Sequence, residues 1–297
     1  MRAKHPQYLF PGQAQFGTDN LVLHAKGTRH LVNDFPGPLS IKSVISGEVG
    51  WVVDGRNIVV DTRSFLVLGD GQKYSMNVDA QRPVETCCAF FRRGFVEQVT
   101  QDMTSPLQAS IDEPQRQAPP LEFLSRLHTD PTGRILPSLR SLAARCSKQL
   151  QPSSFEEEFL VLSTELMKLY REITVQISRV PAAKASTREE LFRRLQLARE
   201  YIHSKADQQV SLEEVARESC LSRYHLHRSF TRVFRRTPHA YLTALRLEKA
   251  QSLLQAGHTV TDVCMEVGFT SVSSFSRLFR SHFGSSPSTL RKIRKIG

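Results

Sequence analysis

The chain has 297 residues, 40 Lys/Arg against 29 Asp/Glu, a formal net charge of +11 and 40% hydrophobic residues. That length suggests about two ordinary globular domains. No apolar run approaches the roughly 18 residues a membrane helix needs, and no apolar core follows the first residues as in a secretory signal. These absences predict a cytoplasmic protein without membrane association.

The first element signals are β. Residues from about His30 to Arg92 read as short strands. Residues 39–45 (LSIKSVI) alternate, residues 50–53 and 57–60 flank Asp54-Gly55, and residues 64–68 are apolar before Gly69-Asp70-Gly71. An Asp-Gly pair between such runs predicts a type I′ hairpin. Residues 86–91 form a further candidate strand. Short strands with Gly/Asp turns at this spacing suggest a small barrel or jelly roll. Cys87 and Cys88 then point to opposite sheet faces. The five cysteines form no C-x-x-C pair, so neither a disulfide framework nor a zinc site is expected. Cys220 and Cys264 are expected to pack as small hydrophobes.

Residues 112–120 (DEPQRQAPP) read as a connecting loop. Helical patterns follow over 121–128 and 135–150. Phe155, Phe159, Leu162, Leu166, Leu169 and Ile173 then recur at spacings of 4, 3, 4, 3 and 4. This is an a/d seam, which serves either as a dimer contact or as a core face of its own domain. Ser153 or Ser154 would cap this helix, with Glu156, Glu157 and Glu158 at its positive end. Residues 180–187 (VPAAKAST) read as a linker.

Charge is concentrated beyond that linker. From Lys184 to Gly297 there are 20 Lys/Arg and 10 Asp/Glu, so +10 of the +11 lies there. A basic segment of this kind points to a polyanion, and together with the repeat that follows to double-stranded DNA. A helix over 188–205 carries Leu191, Leu195, Ala198 and Ile202 on one face. The segment then repeats itself. Val215/Val263, Ala216/Cys264 and Leu221/Phe269 match at an offset of 48, and Leu226/Phe275, Arg228/Arg277, Phe230/Phe279, Phe234/Phe283 and Pro238/Pro287 at 49. Each copy has the shape of a helix-turn-helix, at about 211–234 and 260–283.

In the first copy Ser211-Leu212-Glu213-Glu214 is a capping box, and Ser222 caps a second helix with Leu226, Phe230, Val233 and Phe234 inward. Arg223, Tyr224, His227, Arg228 and Arg232 are left for its outer face. In the second copy Thr259 and Asp262 frame the first helix, and Gly268 holds a turn that needs positive φ. Ser271 starts the next helix, with Phe275, Leu278 and Phe279 inward. Ser271, Val272, Ser273, Ser276, Arg277 and Arg280 form its outward set, and Gly284 ends it. The second helix of such a unit meets base edges with its N-terminal residues. Arg228 and Arg277 suit guanine or phosphate, and Val272 suits a thymine methyl. His225 and His227 do not share a helix face, so they make no metal pair. Between the copies, residues 239–256 read as a long connecting helix, which would set the roughly 34 Å needed for successive major grooves.

These residues resemble the AraC/XylS family of bacterial transcription regulators. The resemblance rests on Arg246-Leu247, Ala250, Leu253 and Leu254 in the connector, and on Gly268, Phe269, Ser271, Ser273, Phe275, Arg277, Phe279, Gly284 and Pro287 in the second unit. It covers about residues 188–291. Cys264 and Leu290 depart from the usual alanine and aromatic, both at packing positions. The family implies a seven-helix DNA-binding domain and, for this length, an N-terminal cupin-like sensor or dimerisation domain. It also implies contact with promoter or operator DNA, often as an activator touching RNA polymerase, a homodimer, and a possible small-molecule effector. The histidines of metal-binding cupins are missing from residues 37–48, and Tyr74 stands near the later one. Trp51, Tyr74, Phe90 and Lys42 are either pocket residues or core.

The expected architecture is therefore an α+β multidomain chain. It comprises a cupin-like barrel or jelly roll over 1–120, a helical dimerisation segment over 121–180, a linker over 181–187 and an all-α domain with two helix-turn-helix units over 188–297. No catalytic set, metal-ligand set or cofactor is expected. A catalytic or repair enzyme would need a reactive cysteine or ligand cluster in residues 1–120, and none stands out. A non-specific architectural DNA binder is the other alternative, separable by its specificity ratio.

Overall fold

A two-residue turn shows how the N-terminal unit begins to fold. Asp54 and Gly55 adopt φ of 49° and 73°, the two positive values of a type I′ turn, whose twist matches that of the strands it joins. In this computed structural model, which describes residues 15–104, 127–130, 133–148 and 155–293, the turn joins β3 (Glu48–Val53) to β4 (Arg56–Asp61). The other strands are β1 (Leu21–Pro36), β2 (Ser40–Ser46), β5 (Ser64–Leu68), β6 (Lys73–Phe90) and β7 (Leu127–Thr129). All pairings are antiparallel, in the order β4-β3-β6-β2-β5-β7, with β1 also paired to β6.

The long strand β6 makes the barrel. Its first part pairs with β3 through Tyr74 and Met76, its last part pairs with β2 through residues 85–90, and β1 runs beside both. Alternate residues of the strands meet inside: Val44, Trp51, Val53, Ile58, Val60, Leu66, Leu68, Tyr74, Met76 and Val78 form one buried cluster. Each aliphatic or aromatic side chain so buried contributes about 1.5–3 kcal/mol. The jelly-roll expectation is met, but two elements were missed. β1 starts at Leu21 rather than near His30, and β6 continues through residues 73–85. Pro83 hid the continuity, because proline argues against a paired strand. The register explains its presence. Gly27 pairs with Val84 but Arg29 with Asp79, so β6 bulges outward around Pro83.

The barrel interior also contains a lysine. Lys42 is fully buried and donates to the Tyr74 hydroxyl at 3.1 Å, with its ammonium 3.5 Å from the Phe90 ring centroid. Burial pushes its pKa down to about 7, and nearby Cys88 opposes this slightly. Trp51, Tyr74 and Phe90 are likewise buried, so all four residues are core.

Helices α1 (Phe95–Thr104), α2 (Ile135–Ser147) and α3 (Glu156–Ser178) follow. The helix expected over 121–128 is replaced by β7 at its C-terminal end, where His128 stacks on Phe65 of β5 with ring centroids 5.4 Å apart. Residues 121–126, the loop at 112–120 and the caps Ser153 and Ser154 lie outside the described residues. The α3 seam has the expected phase. Phe155, Phe159, Leu162, Leu166, Leu169 and Ile173 are all buried, and Phe159 meets Phe91 edge to face at 5.4 Å. In the single chain that seam is already covered.

The chain divides into two compact units after Val175. The second is all helix: α4 (Ala185–Ser204), α5 (Leu212–Glu218), α6 (Arg223–Phe234), α7 (Pro238–Gln255), α8 (Val260–Glu266), α9 (Val272–Phe283) and α10 (Pro287–Ile293). α4 begins inside the segment read as linker. Among the described residues no helix is long and apolar enough to cross a membrane.

Candidate nucleic-acid interface

The two repeats fold to the same plan. α5 and α8 have 7 residues each, and α6 and α9 have 12 each. Hydroxyl side chains start all four. Ser211 accepts from the Glu214 amide at 3.2 Å while the Glu214 carboxylate accepts from the Ser211 amide at 2.8 Å. Thr259 accepts from the Asp262 amide at 3.2 Å. Ser222 and Ser271 accept from the amides of His225 and Ser274 at 3.2 and 3.4 Å. Each cap satisfies an otherwise orphaned amide and contributes about 1 kcal/mol.

The turns also match. The Leu221 amide donates to the Ala216 carbonyl at 2.9 Å, and the Phe269 amide to that of Cys264 at 3.0 Å. Both turns need a left-handed residue. Gly268 supplies it in the second unit with φ 88°, and Cys220 in the first with φ 53°. The same contrast recurs at the ends of α6 and α9, where Arg235 has φ 59° and Gly284 has φ 73°. Cys220 is exposed, against the expectation that it packs, because the left-handed backbone turns its side chain away from the core. Cys264 is buried as expected. A left-handed L-residue costs roughly 1–2 kcal/mol. Cys220→Gly is therefore expected to stabilise the chain by about 1 kcal/mol, after glycine's larger unfolded-state entropy is deducted. Denaturant melts check this, and unchanged or reduced stability would refute it.

Aromatic packing orients the outer helices. Phe230 touches Phe234 at 4.5 Å and Tyr241 at 5.8 Å, which fixes α6 against α7. Phe275 and Phe279 sit with Leu247, Ala250, Leu254, Val263, Cys264 and Val267 in one buried cluster, which fixes α9 against α7 and α8. Leu278 and Phe234 are half-buried rather than fully inward. The connector is tied down by Arg246, which donates to the Ala206 and Gln208 carbonyls at 2.7 and 2.6 Å and lies over the Phe269 ring.

The opposite faces are open. Arg223, Tyr224, His227, Arg228 and Arg232 on α6 are exposed, as are Val272, Ser273, Arg277 and Arg280 on α9 and its cap Ser271; Ser276 is half-buried. Tyr224 accepts from Arg228 at 3.4 Å, and Arg223 lies 3.8 Å from Glu213. Such an exposed ion pair is worth at most about 1 kcal/mol and yields readily to a phosphate. Among the described residues none pairs with Arg232, Arg277 or Arg280. Two exposed cations were missed, Arg235 and Arg236 just past α6. Aligning the repeats would have found them, because they stand where the second unit has Gly284 and Ser285. This surface has hydroxyl, apolar and guanidinium groups, the donors and methyl contacts that base edges and phosphates accept.

A helix-turn-helix domain family model matches residues 215–293. The transcriptional activator RhaS of Escherichia coli is 31% identical over 165 residues, covering 54% of this chain and 55% of RhaS. The uncharacterised regulator YbfI of Bacillus subtilis is 30% identical over 136 residues, covering 46% of each chain. The chain thus spans about half the length of these relatives. Among solved structures, an AraC-type regulator from Chromobacterium violaceum is 28% identical, covers 34% of this chain and 91% of that one, and has a TM-score of 0.33. ToxT from Vibrio cholerae is 12% identical, covers 91% and 96%, and has a TM-score of 0.34.

Proposed function

We propose that this chain is a sequence-specific transcription regulator of the AraC/XylS family, on the match of its C-terminal helix-turn-helix domain, and that it reads two adjacent major-groove segments of promoter DNA. The observation that carries this is the doubled unit: two helices of equal length, capped alike, each with one face packed by phenylalanines and the other exposed. The residues assigned to DNA are Arg223, Tyr224, His227, Arg228 and Arg232 in the first unit, and Ser271, Val272, Ser273, Ser276, Arg277 and Arg280 in the second. Their amides, hydroxyls and guanidinium groups can position the helices on phosphates, while Arg228 and Arg277 reach bases.

The proposal extends to a homodimer, to an activator's contact with RNA polymerase and to a small-molecule effector in the barrel. The dimer contact lies outside the covered α3 seam. Sedimentation at rising concentration tests it, and a single monomeric species would remove it. For the barrel, the apolar interior around the buried Lys42 favours an organic effector over a metal.

The primary test selects preferred sites from random DNA with the full chain and titrates them at fixed salt. A motif with two parts one helical turn apart is expected. Arg277→Ala is expected to weaken the preferred site by about 1–3 kcal/mol and to relax preference at one base position. Equal weakening on every sequence would mean that Arg277 holds a phosphate. A featureless selected pool would favour the architectural alternative.

A further inference from the structure

The two copies are alike in backbone and unlike in charge. Aligned at the offset of 49, Arg223 stands where the second unit has Val272, Tyr224 opposite Ser273, His227 opposite Ser276, Arg232 opposite Ser281, Arg235 opposite Gly284 and Arg236 opposite Ser285. Arg228 and Arg277 are shared, and only Arg280 runs the other way, against Thr231. Residues 211–236 carry six arginines against three glutamates, a net +3, whereas residues 259–285 carry two arginines against one aspartate and one glutamate, a net of zero. All five arginines from Arg223 to Arg236 are exposed. The left-handed turn at Arg235 continues the basic surface past the helix end, where Gly284 continues nothing. The second unit instead presents short hydroxyls and Val272, which is 39% exposed at the first turn of α9.

We infer that the two readers are unequal: the first holds the phosphate backbone by charge, and the second, through Val272, Ser273 and Arg277, makes most of the choice among sequences. This rests on the regulator reading above. Long cationic side chains reach phosphates from many angles and carry little sequence information. Short side chains let a helix approach the groove floor, where an apolar group meets a thymine methyl and a hydroxyl meets either partner of a base pair. An apolar valine exposed at a helix start gains nothing from water, and a methyl on the groove floor offsets that exposure.

The test uses the full chain on its selected site and on the same site with either half scrambled, titrated between 50 and 200 mM salt. Scrambling the half read by α9 is expected to cost at least tenfold more affinity than scrambling the other half. The Arg232→Gln/Arg236→Gln variant should bind all three DNAs more weakly by a similar factor, and its loss of affinity over that salt range should shrink about tenfold, as expected for two lost phosphate contacts. Val272→Ala/Ser273→Ala should weaken the selected site alone and leave the salt dependence unchanged. All four substitutions are on exposed positions, and unchanged thermal melts control for folding. The inference is overturned if scrambling the first half costs more, or if the arginine variant loses base preference while keeping the wild-type salt dependence. Wild-type chain that prefers no sequence at any salt overturns the regulator reading itself, and the inference falls with it.

Discussion

Gly268→Ala is expected to destabilise the second helix-turn-helix by about 3 kcal/mol. Two costs add. The backbone there has φ 88°, where an L-residue loses roughly 1–2 kcal/mol. A Cβ would also lie 2.6 Å from the Asp207 carbonyl oxygen, a backbone atom that cannot swing aside as a side chain does. Moving it would disturb the loop that Arg246 holds through Ala206 and Gln208. At the equivalent turn in the first unit, Cys220 already bears a Cβ, so Cys220→Ala should change stability by less than 0.5 kcal/mol, as surface substitutions generally do. Denaturant unfolding of both variants provides the comparison. A Gly268→Ala chain as stable as wild type would mean that the loop yields freely and that the turn is not a fixed support for α9.

Lys42→Met is expected to stabilise the barrel by about 1–4 kcal/mol at neutral pH, the range seen when buried ion pairs are replaced by apolar residues of similar volume. The sign follows from proton linkage. In the unfolded chain the amine holds its proton to near 10.5, whereas burial brings the folded value to about 7. Between these values the unfolded state binds the extra proton, so wild-type stability rises with pH, by up to about 1.4 kcal/mol per unit. Below about pH 7 both states are protonated, this slope ends, and the folded chain bears the full burial cost. The methionine variant should lose the slope between pH 7 and 10 and keep the packing against Phe90, while the Tyr74 hydroxyl loses its donor. Chemical denaturation at pH 6, 8 and 9.5 measures both effects. Parallel pH profiles for the two chains would show that the ammonium stays charged over its aromatic partners throughout.

The helix-turn-helix units were legible because their signals are local. A capping hydroxyl, an acidic residue three positions on, apolar residues every third or fourth position and a stop residue all lie within one or two helical turns of what they control. Repetition then supplied an internal check, and the outer-face residues followed by subtraction. The Asp54-Gly55 hairpin was legible for the same reason. Where signals were long-range the reading failed. Pro83 interrupts the β6 pattern, and only the partner strand's register shows the chain bulging past it. Cys220 matched an apolar pattern, but its left-handed backbone is imposed by the turn that joins α5 to α6.

What the sequence by itself determined was which faces of the helices and strands are apolar, where the helices of the two helix-turn-helix units begin and end, and that the positive charge gathers in the C-terminal segment. Only the tertiary structure decided what covers each face. The spacing from Phe155 to Ile173 fixes an apolar stripe with equal force for a dimer or for a core, because periodicity describes one surface and not its partner. In the fold that stripe is buried in the single chain. Lys42 is the converse case, since nothing in its neighbours along the chain marks it as buried. Strand alternation places it inward with Ser40 and Val44, and closure of β2 against β6 then removes it from water. Burial depends on residues distant in the chain, and that is why local pattern carried the helix-turn-helix units and the assembled fold had to supply the rest.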